Sequence, residues 1–212
     1  MLLFARLESH LKTNKKKIGF FGGTFDPIHL GHLNLAISIL EQHELDQVLF
    51  CPASLSPHKV TEPTASKEQR REMVELAIRP IKSFSCFEAE LFREGPSYTI
   101  DTMRSLKHAH PSVEYHLILG EDALERLADW KDIDELIALA PPLVGSRSRG
   151  ISKTIHHLPS KIKKAAEKGM TSIPVMEISS TTLRQRLKEG KYCGHLLSAE
   201  VLNYIHEYRL YT

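Results

Sequence analysis

Two spacings of apolar residues alternate along this chain. Short apolar runs bounded by polar residues, glycine or proline fall at 17–22, 47–52, 84–88, 113–119, 143–146 and 174–178, and each predicts a buried strand. Between them, apolar residues return every three or four positions. Leu30, Leu33, Ala36, Ile37 and Leu40 predict a helix over 30–42. A second helix begins after Ser66, whose third following residue is Gln69, a capping-box pair; it carries Met73, Leu76, Ala77 and Ile78 and stops at Pro80. Further helices are predicted over 97–108, 122–127, 133–140 and 161–168, from Ser179 or Ser180 to 188, and over 198–207. Residues 53–65, polar and proline-containing, read as a loop. Strands alternating with helices predict an α/β fold, a Rossmann-like doubly wound parallel sheet with helices on both faces.

Ligands in such sheets bind beyond the C-terminal ends of the strands. The residues in that position after the first strand are Gly22 to His32, Gly-Gly-Thr-Phe-Asp-Pro-Ile-His-Leu-Gly-His. Gly22 and Gly23 permit a tight turn and close approach of a ligand to the backbone. Thr24 offers a hydroxyl and an N–H, and Asp26-Pro27 favours a turn. His29 and His32 are neighbours on one helix face, and Gly31 keeps the surface between them low, so that a nucleotide can lie flat there. A strand, a glycine turn and a helix start together suit a phosphate.

A second anion-binding pattern follows the last predicted strand, at Ile178-Ser179-Ser180-Thr181-Thr182-Leu183-Arg184. The hydroxyls and N–H groups of Ser179, Ser180 and Thr181 open a helix, and the Arg184 guanidinium lies one turn further on.

Composition narrows the alternatives. The 212 residues suffice for one sizeable core. A net charge of +2 gives no electrostatic argument for nucleic acid or an anionic membrane, and no apolar run reaches the ~18 residues of a membrane span. Cys51, Cys86 and Cys193 are scattered, without Cys-x-x-Cys, which speaks against disulfides and a cysteine zinc site and suits a reducing cytoplasm. Two histidines without a correctly spaced glutamate do not make a zinc protease helix, and the sequence suggests no protein metal site. No Gly-x-x-x-x-Gly-Lys-Ser/Thr occurs, which disfavours a P-loop kinase. Residues 1–16 read as an extra N-terminal arm, because charges interrupt its apolar start where a signal peptide would place them first.

The stretch Thr24-Phe25-Asp26-Pro27-Ile28-His29-Leu30-Gly31-His32 resembles the signature of the nucleotidyltransferase superfamily with the His-x-Gly-His motif. Further matches are Pro57-His58-Lys59, Pro96-Ser97-Tyr98-Thr99 with Asp101 and Thr102, Gly120-Glu121-Asp122, Trp130, and the segment from Leu196 to Tyr211. Together they resemble bacterial nicotinate-nucleotide adenylyltransferase over about residues 17–212. The resemblance implies a single nucleotidyltransferase domain over 17–212, with a C-terminal helical part. It implies adenylyl transfer from ATP, accompanied by Mg²⁺, to nicotinate mononucleotide, with release of pyrophosphate, as a step of NAD biosynthesis. His29, His32 and Arg184 are then the catalytic candidates. ATP is expected at Gly22, Gly23, Thr24, Phe25, Gly31, Gly120, Asp122, Arg147, Ser179, Ser180 and Thr181. The acceptor is expected at His58, Lys59, Ser97, Tyr98, Thr99 and Trp130, where the indole can stack on the pyridine ring. The remaining histidines, among them His108, His110, His156 and His157, read as surface residues. Two alternatives stay open: transfer to nicotinamide mononucleotide or another phosphate acceptor, and a non-catalytic nucleotide-binding module. The sequence leaves the oligomeric state undetermined.

Overall fold

The computed structural model describes residues 15–54, 63–146 and 153–212. Six strands form one wholly parallel sheet: β1 (Lys17–Gly23), β2 (Gln47–Pro52), β3 (Phe84–Cys86), β4 (Glu114–Gly120), β5 (Pro142–Ser146) and β6 (Met170–Ser172), in the order β3-β2-β1-β4-β5-β6. This is the predicted Rossmann-like α/β fold. The chain winds outward from β1 to β3, then returns and winds the other way from β4 to β6. The order reverses between β1 and β4, and a crevice opens beyond their C-terminal ends.

Successive residues of each central strand serve opposite faces. Phe20, Leu117, Leu119 and Val144 belong to one apolar cluster; Phe21, Ile118 and Leu143 belong to the other. Both faces are covered, so the strands read as continuous apolar runs. On the Phe21 face lie α1 (Leu30–Gln42), α2 (Lys67–Ile78), α7 (Ser180–Lys188) and α8 (Ala199–Glu207). On the Phe20 face lie α3 (Thr99–Ala109), α4 (Glu121–Glu125), α5 (Ile133–Leu139) and α6 (Ser160–Lys168). Fully buried side chains such as Phe20, Phe50, Ile118 and Met103 each contribute roughly 1.5–3 kcal/mol by leaving water.

Local chemistry explains the helix starts. Ser66 and Gln69 form the expected capping box, with Gln69 N–H donating to Ser66 Oγ at 3.2 Å and Ser66 N–H donating to Gln69 Oε1 at 2.9 Å. Ser179 is the cap of α7 and accepts the N–H of Thr182 at 3.1 Å.

Two strands depart from expectation. The sixth strand is Met170–Ser172, whereas residues 174–178 form no strand. Gly169 lets the backbone come against the Pro142 carbonyl, where a methyl group would collide. The ladder to β5 then ends as Ile173 N–H donates to the Ser146 carbonyl at 3.0 Å. Asn34 of α1 donates to the Pro174 carbonyl at 2.9 Å and holds the following segment along the crevice. The third strand is likewise shorter than predicted, and a 3₁₀ turn (Glu88–Glu90) replaces its end.

Candidate active site

The crevice beyond β1 and β4 holds a cavity of about 740 Å³, within the usual range for small-molecule sites. Gly22, Gly23 and Thr24 line it from the end of β1. Phe25 follows with φ 48°, a conformation rare for a bulky side chain. Its ring is held edge-on to Phe21 at 5.4 Å and to His32 at 5.1 Å between ring centroids. Phe25 thus touches the cavity chiefly as the apolar floor beneath His32.

His29 is the N-cap of α1 and is buried; His32 is half-buried one turn later. Their rings stack, 3.7 Å between centroids and 22° from parallel. The backbone N–H of His29 donates to Nδ1 of His32 at 3.2 Å. With Nδ1 accepting, the proton of a neutral His32 imidazole sits on Nε2. Gly31 does more than keep the surface low. A methyl group there would lie 3.1 Å from Nδ1 of His29, so the missing side chain is what gives the His29 ring its place. The start of α1 differs in one way from a plain phosphate cradle: the Leu30 N–H already donates to the Leu196 carbonyl at 3.0 Å.

Arg184 reaches the cavity from α7. Its Nη1 donates to the Asp26 carbonyl at 2.7 Å and lies 3.8 Å from the Asp26 carboxylate. Ser180 donates its hydroxyl to the Pro27 carbonyl at 2.9 Å, so α7 is fastened to the turn that carries the histidines. Ser179 and Thr181 line the same end of the cavity, and Thr181 Oγ1 accepts from Nη2 of Arg184 at 3.4 Å.

Ser97, Tyr98, Thr99 and Trp130 line the cavity from the opposite face of the sheet. Helix α3 begins at Thr99, two residues later than predicted. Ser97 is buried at the cavity wall and donates its hydroxyl to the Glu90 carbonyl at 3.1 Å. Trp130 is half-buried at the cavity wall. Next to it, Lys131 sits 4.7 Å above the Tyr98 ring and 3.2 Å from the Asp101 carboxylate. Gly120 and Asp122 line the cavity at the end of β4, and the Asp122 carboxylate folds over Gly120 at the place a side chain would fill. Asp122 is the second residue of α4, whose N-cap is Gly120. His58, Lys59 and Arg147 lie outside the described residues. His108, His110, His156 and His157 are exposed, as expected.

Three residues that were not among the expected site residues hold the site together; of these, sequence reasoning saw only Asp26, as a turn residue of the signature. Asp26 is buried and its carboxylate accepts the N–H groups of Thr64 at 2.8 Å and Ala65 at 3.1 Å. Arg70, 1% exposed, donates Nη1 to the carbonyls of Thr24 at 2.7 Å and Ala53 at 2.6 Å, and Nη2 to Ser54 at 3.2 Å. Glu90 lines the cavity, accepts the Thr102 hydroxyl at 2.7 Å, and has its carboxyl pushed above the usual range by burial. Cys51 pairs with Gly22 across the sheet, but burial pushes its thiol far upward, and Cys86 is pushed up to about 12; neither suits a nucleophile. No group of three or more His, Cys, Asp or Glu among the described residues is placed to hold a metal ion.

The chain is similar to known proteins. The family described as cytidylyltransferase-like matches residues 20–186. A protein named probable nicotinate-nucleotide adenylyltransferase from Bacillus cytotoxicus is 42% identical over 196 residues, covering 92% of this chain and 98% of that protein. One of the same name from Synechococcus sp. (strain JA-3-3Ab) is 39% identical over 199 residues, covering 93% and 95%. Among solved structures, Plasmodium falciparum nicotinic acid mononucleotide adenylyltransferase complexed with NaAD superimposes with a TM-score of 0.69 at 22% identity, over 92% of this chain and 97% of that one. At that identity the likeness speaks for the fold, and the sequence relatives speak for the family. With a stacked histidine pair at the switch point of the sheet and an arginine-bearing helix start facing it, the chain belongs to the nicotinate-nucleotide adenylyltransferases of the cytidylyltransferase-like nucleotidyltransferases.

Proposed function

We propose that this protein transfers the adenylyl group of ATP to the 5′-phosphate of nicotinate mononucleotide, and that His29, His32 and Arg184 act on the transferring phosphates. The observation that supports this reading is one cavity shared by the histidine pair, the start of α7 and Trp130. An oxygen of the acceptor phosphate forms a bond to the α-phosphorus. The bond from that phosphorus to the bridging oxygen breaks, and pyrophosphate leaves with the electron pair. Catalysis of this step is positioning plus charge stabilisation.

The Nε2 proton of His32 is the donor for oxygens on the α-phosphate, and such a donor contributes roughly 10²–10³-fold. Arg184, held by Asp26, neutralises the outer phosphates together with Ser179 and Thr181. Trp130 stacks on the pyridine ring, and Tyr98 and Thr99 border it. Mg²⁺ is read as part of the ATP substrate, where it would offset charge on the triphosphate. Residues 17–212 act as one domain. No described helix is long and apolar enough to cross a membrane; a cytoplasmic site of action is part of this reading, because ATP is the substrate.

The test is an acceptor panel with MgATP: nicotinate mononucleotide, nicotinamide mononucleotide and phosphopantetheine, read by pyrophosphate release. Highest kcat/KM with nicotinate mononucleotide is expected. ATP binding without turnover on any acceptor would overturn the enzymatic reading in favour of a nucleotide-binding module.

A further inference from the structure

Beyond α8 the backbone passes twice through the left-handed region, at Arg209 with φ 50° and at Tyr211 with φ 64°. Side-chain-bearing residues adopt this conformation only when their surroundings compensate. Here the compensation is the seat of Tyr211. Its ring joins the core beside α2 and α8, and the residue is 8% exposed. Its hydroxyl donates to Oδ1 of Asp26 at 2.8 Å, inside the protein. Burial, together with the Asp26 carboxylate, pushes the phenol well above its ordinary range, so it remains a donor.

Asp26 connects this bond to the site. The same carboxylate accepts two N–H groups from Thr64 and Ala65, immediately before the Ser66 cap of α2. The same residue holds Arg184, through its backbone carbonyl at 2.7 Å and its carboxylate at 3.8 Å. Asp26 also sits between Phe25 and Pro27, three residues before His29. Tyr211 therefore joins the donors around a carboxylate that lies 3.8 Å from the Arg184 guanidinium, in the residue whose backbone carbonyl holds that guanidinium.

We infer that Tyr211 is a positioning residue for the adenylyl transfer: its hydroxyl fixes the Asp26 carboxylate, and Asp26 fixes Arg184 toward the triphosphate. The inference rests on the function proposed above. Tyr211 touches no substrate; its effect passes through a buried hydrogen bond to a charged acceptor.

Tyr211→Phe removes the hydroxyl and keeps the ring. It is expected to weaken ATP binding and lower kcat roughly tenfold, the scale of one hydrogen bond to a charged group. The KM for the acceptor is expected to stay within about twofold. Calorimetric ATP affinity is measured alongside turnover, because it does not depend on which acceptor is correct. A wild type that turns over another acceptor corrects the proposed substrate and leaves the ATP comparison valid. In an Asp26→Ala background, which removes the acceptor, the Tyr211→Phe effect on ATP affinity is expected to disappear, since the two residues act through one bond. A purely structural role predicts a lower melting temperature with unchanged ATP affinity, kcat and KM in the folded range. That result, or fully additive effects in the double variant, would overturn the inference.

Discussion

His29 and His32 lie face to face, and the backbone N–H of the first donates to Nδ1 of the second. The pair is a built unit. Helical spacing brings the rings together, and Gly31 clears the place that His29 fills. One imidazole spends its acceptor nitrogen on the helix cap and so keeps a defined tautomer.

His32→Ala removes the Nε2 proton proposed to meet the α-phosphate, together with the acceptor of the His29 N–H. It is expected to lower kcat by at least ~10²-fold, the scale of a lost transition-state donor. Circular dichroism and melting temperature should stay close to wild type. A fully active variant would remove His32 from the mechanism.

Trp130→Ala is expected to raise KM for the mononucleotide roughly tenfold or more, as loss of a base–aromatic stack does. The KM for ATP should change little. Steady-state kinetics with each substrate varied in turn separates the two, and equal effects on both would contradict stacking on the acceptor.

Arg70→Met leaves the carbonyls of Thr24, Ala53 and Ser54 without their donor. Each unsatisfied buried acceptor costs about 1–3 kcal/mol, so a loss of at least ~3 kcal/mol is expected. For a chain of this size that lowers the melting temperature by roughly 6–12 °C, measurable by calorimetry.

Acid should weaken the fold through His43. Its Nε2 lies 2.6 Å from Thr171 Oγ1, a hydrogen bond in which either group can donate. Burial, then His116 and Lys17, hold its pKa below the ordinary 6.5. Between the folded and unfolded values the unfolded chain binds more protons, so stability rises with pH there and is lost on acidification from about pH 6.5 downward. Glu90, its pKa raised by burial, acts in the opposite sense. The informative quantity is therefore the difference from His43→Gln, whose melting temperature should fall less between about pH 7 and pH 5.5. Parallel curves for the two proteins would exclude His43.

The parts of this site that are local were legible. A glycine turn after an apolar strand, and hydroxyls before an arginine, need only neighbours in sequence. Arg70 was not legible, because it stands in a run of charged residues, Lys67 to Glu72, that reads as a solvated helix face. Its burial depends on carbonyls from segments 16 to 46 residues away. Tyr211 likewise meets Asp26 across 185 positions. Residues 174–178 misled because Val175, Met176 and Ile178 give the apolar density of a strand. The sheet edge is instead decided by Gly169 against Pro142 and by the pull of Asn34 on Pro174. The bond from the Ser97 hydroxyl to the Glu90 carbonyl spans seven positions, and no local pattern announced it.

The order in which the strands sit has a consequence for biosynthesis. β1 and the histidine pair are among the first described segments to be made, yet β4, which completes the switch point, is made much later. Arg184 follows only after β6, when every strand of the sheet exists. Every strand of the sheet is therefore synthesised before the arginine that faces its crevice, and α7 and α8, which close the Phe21 face, come last of all.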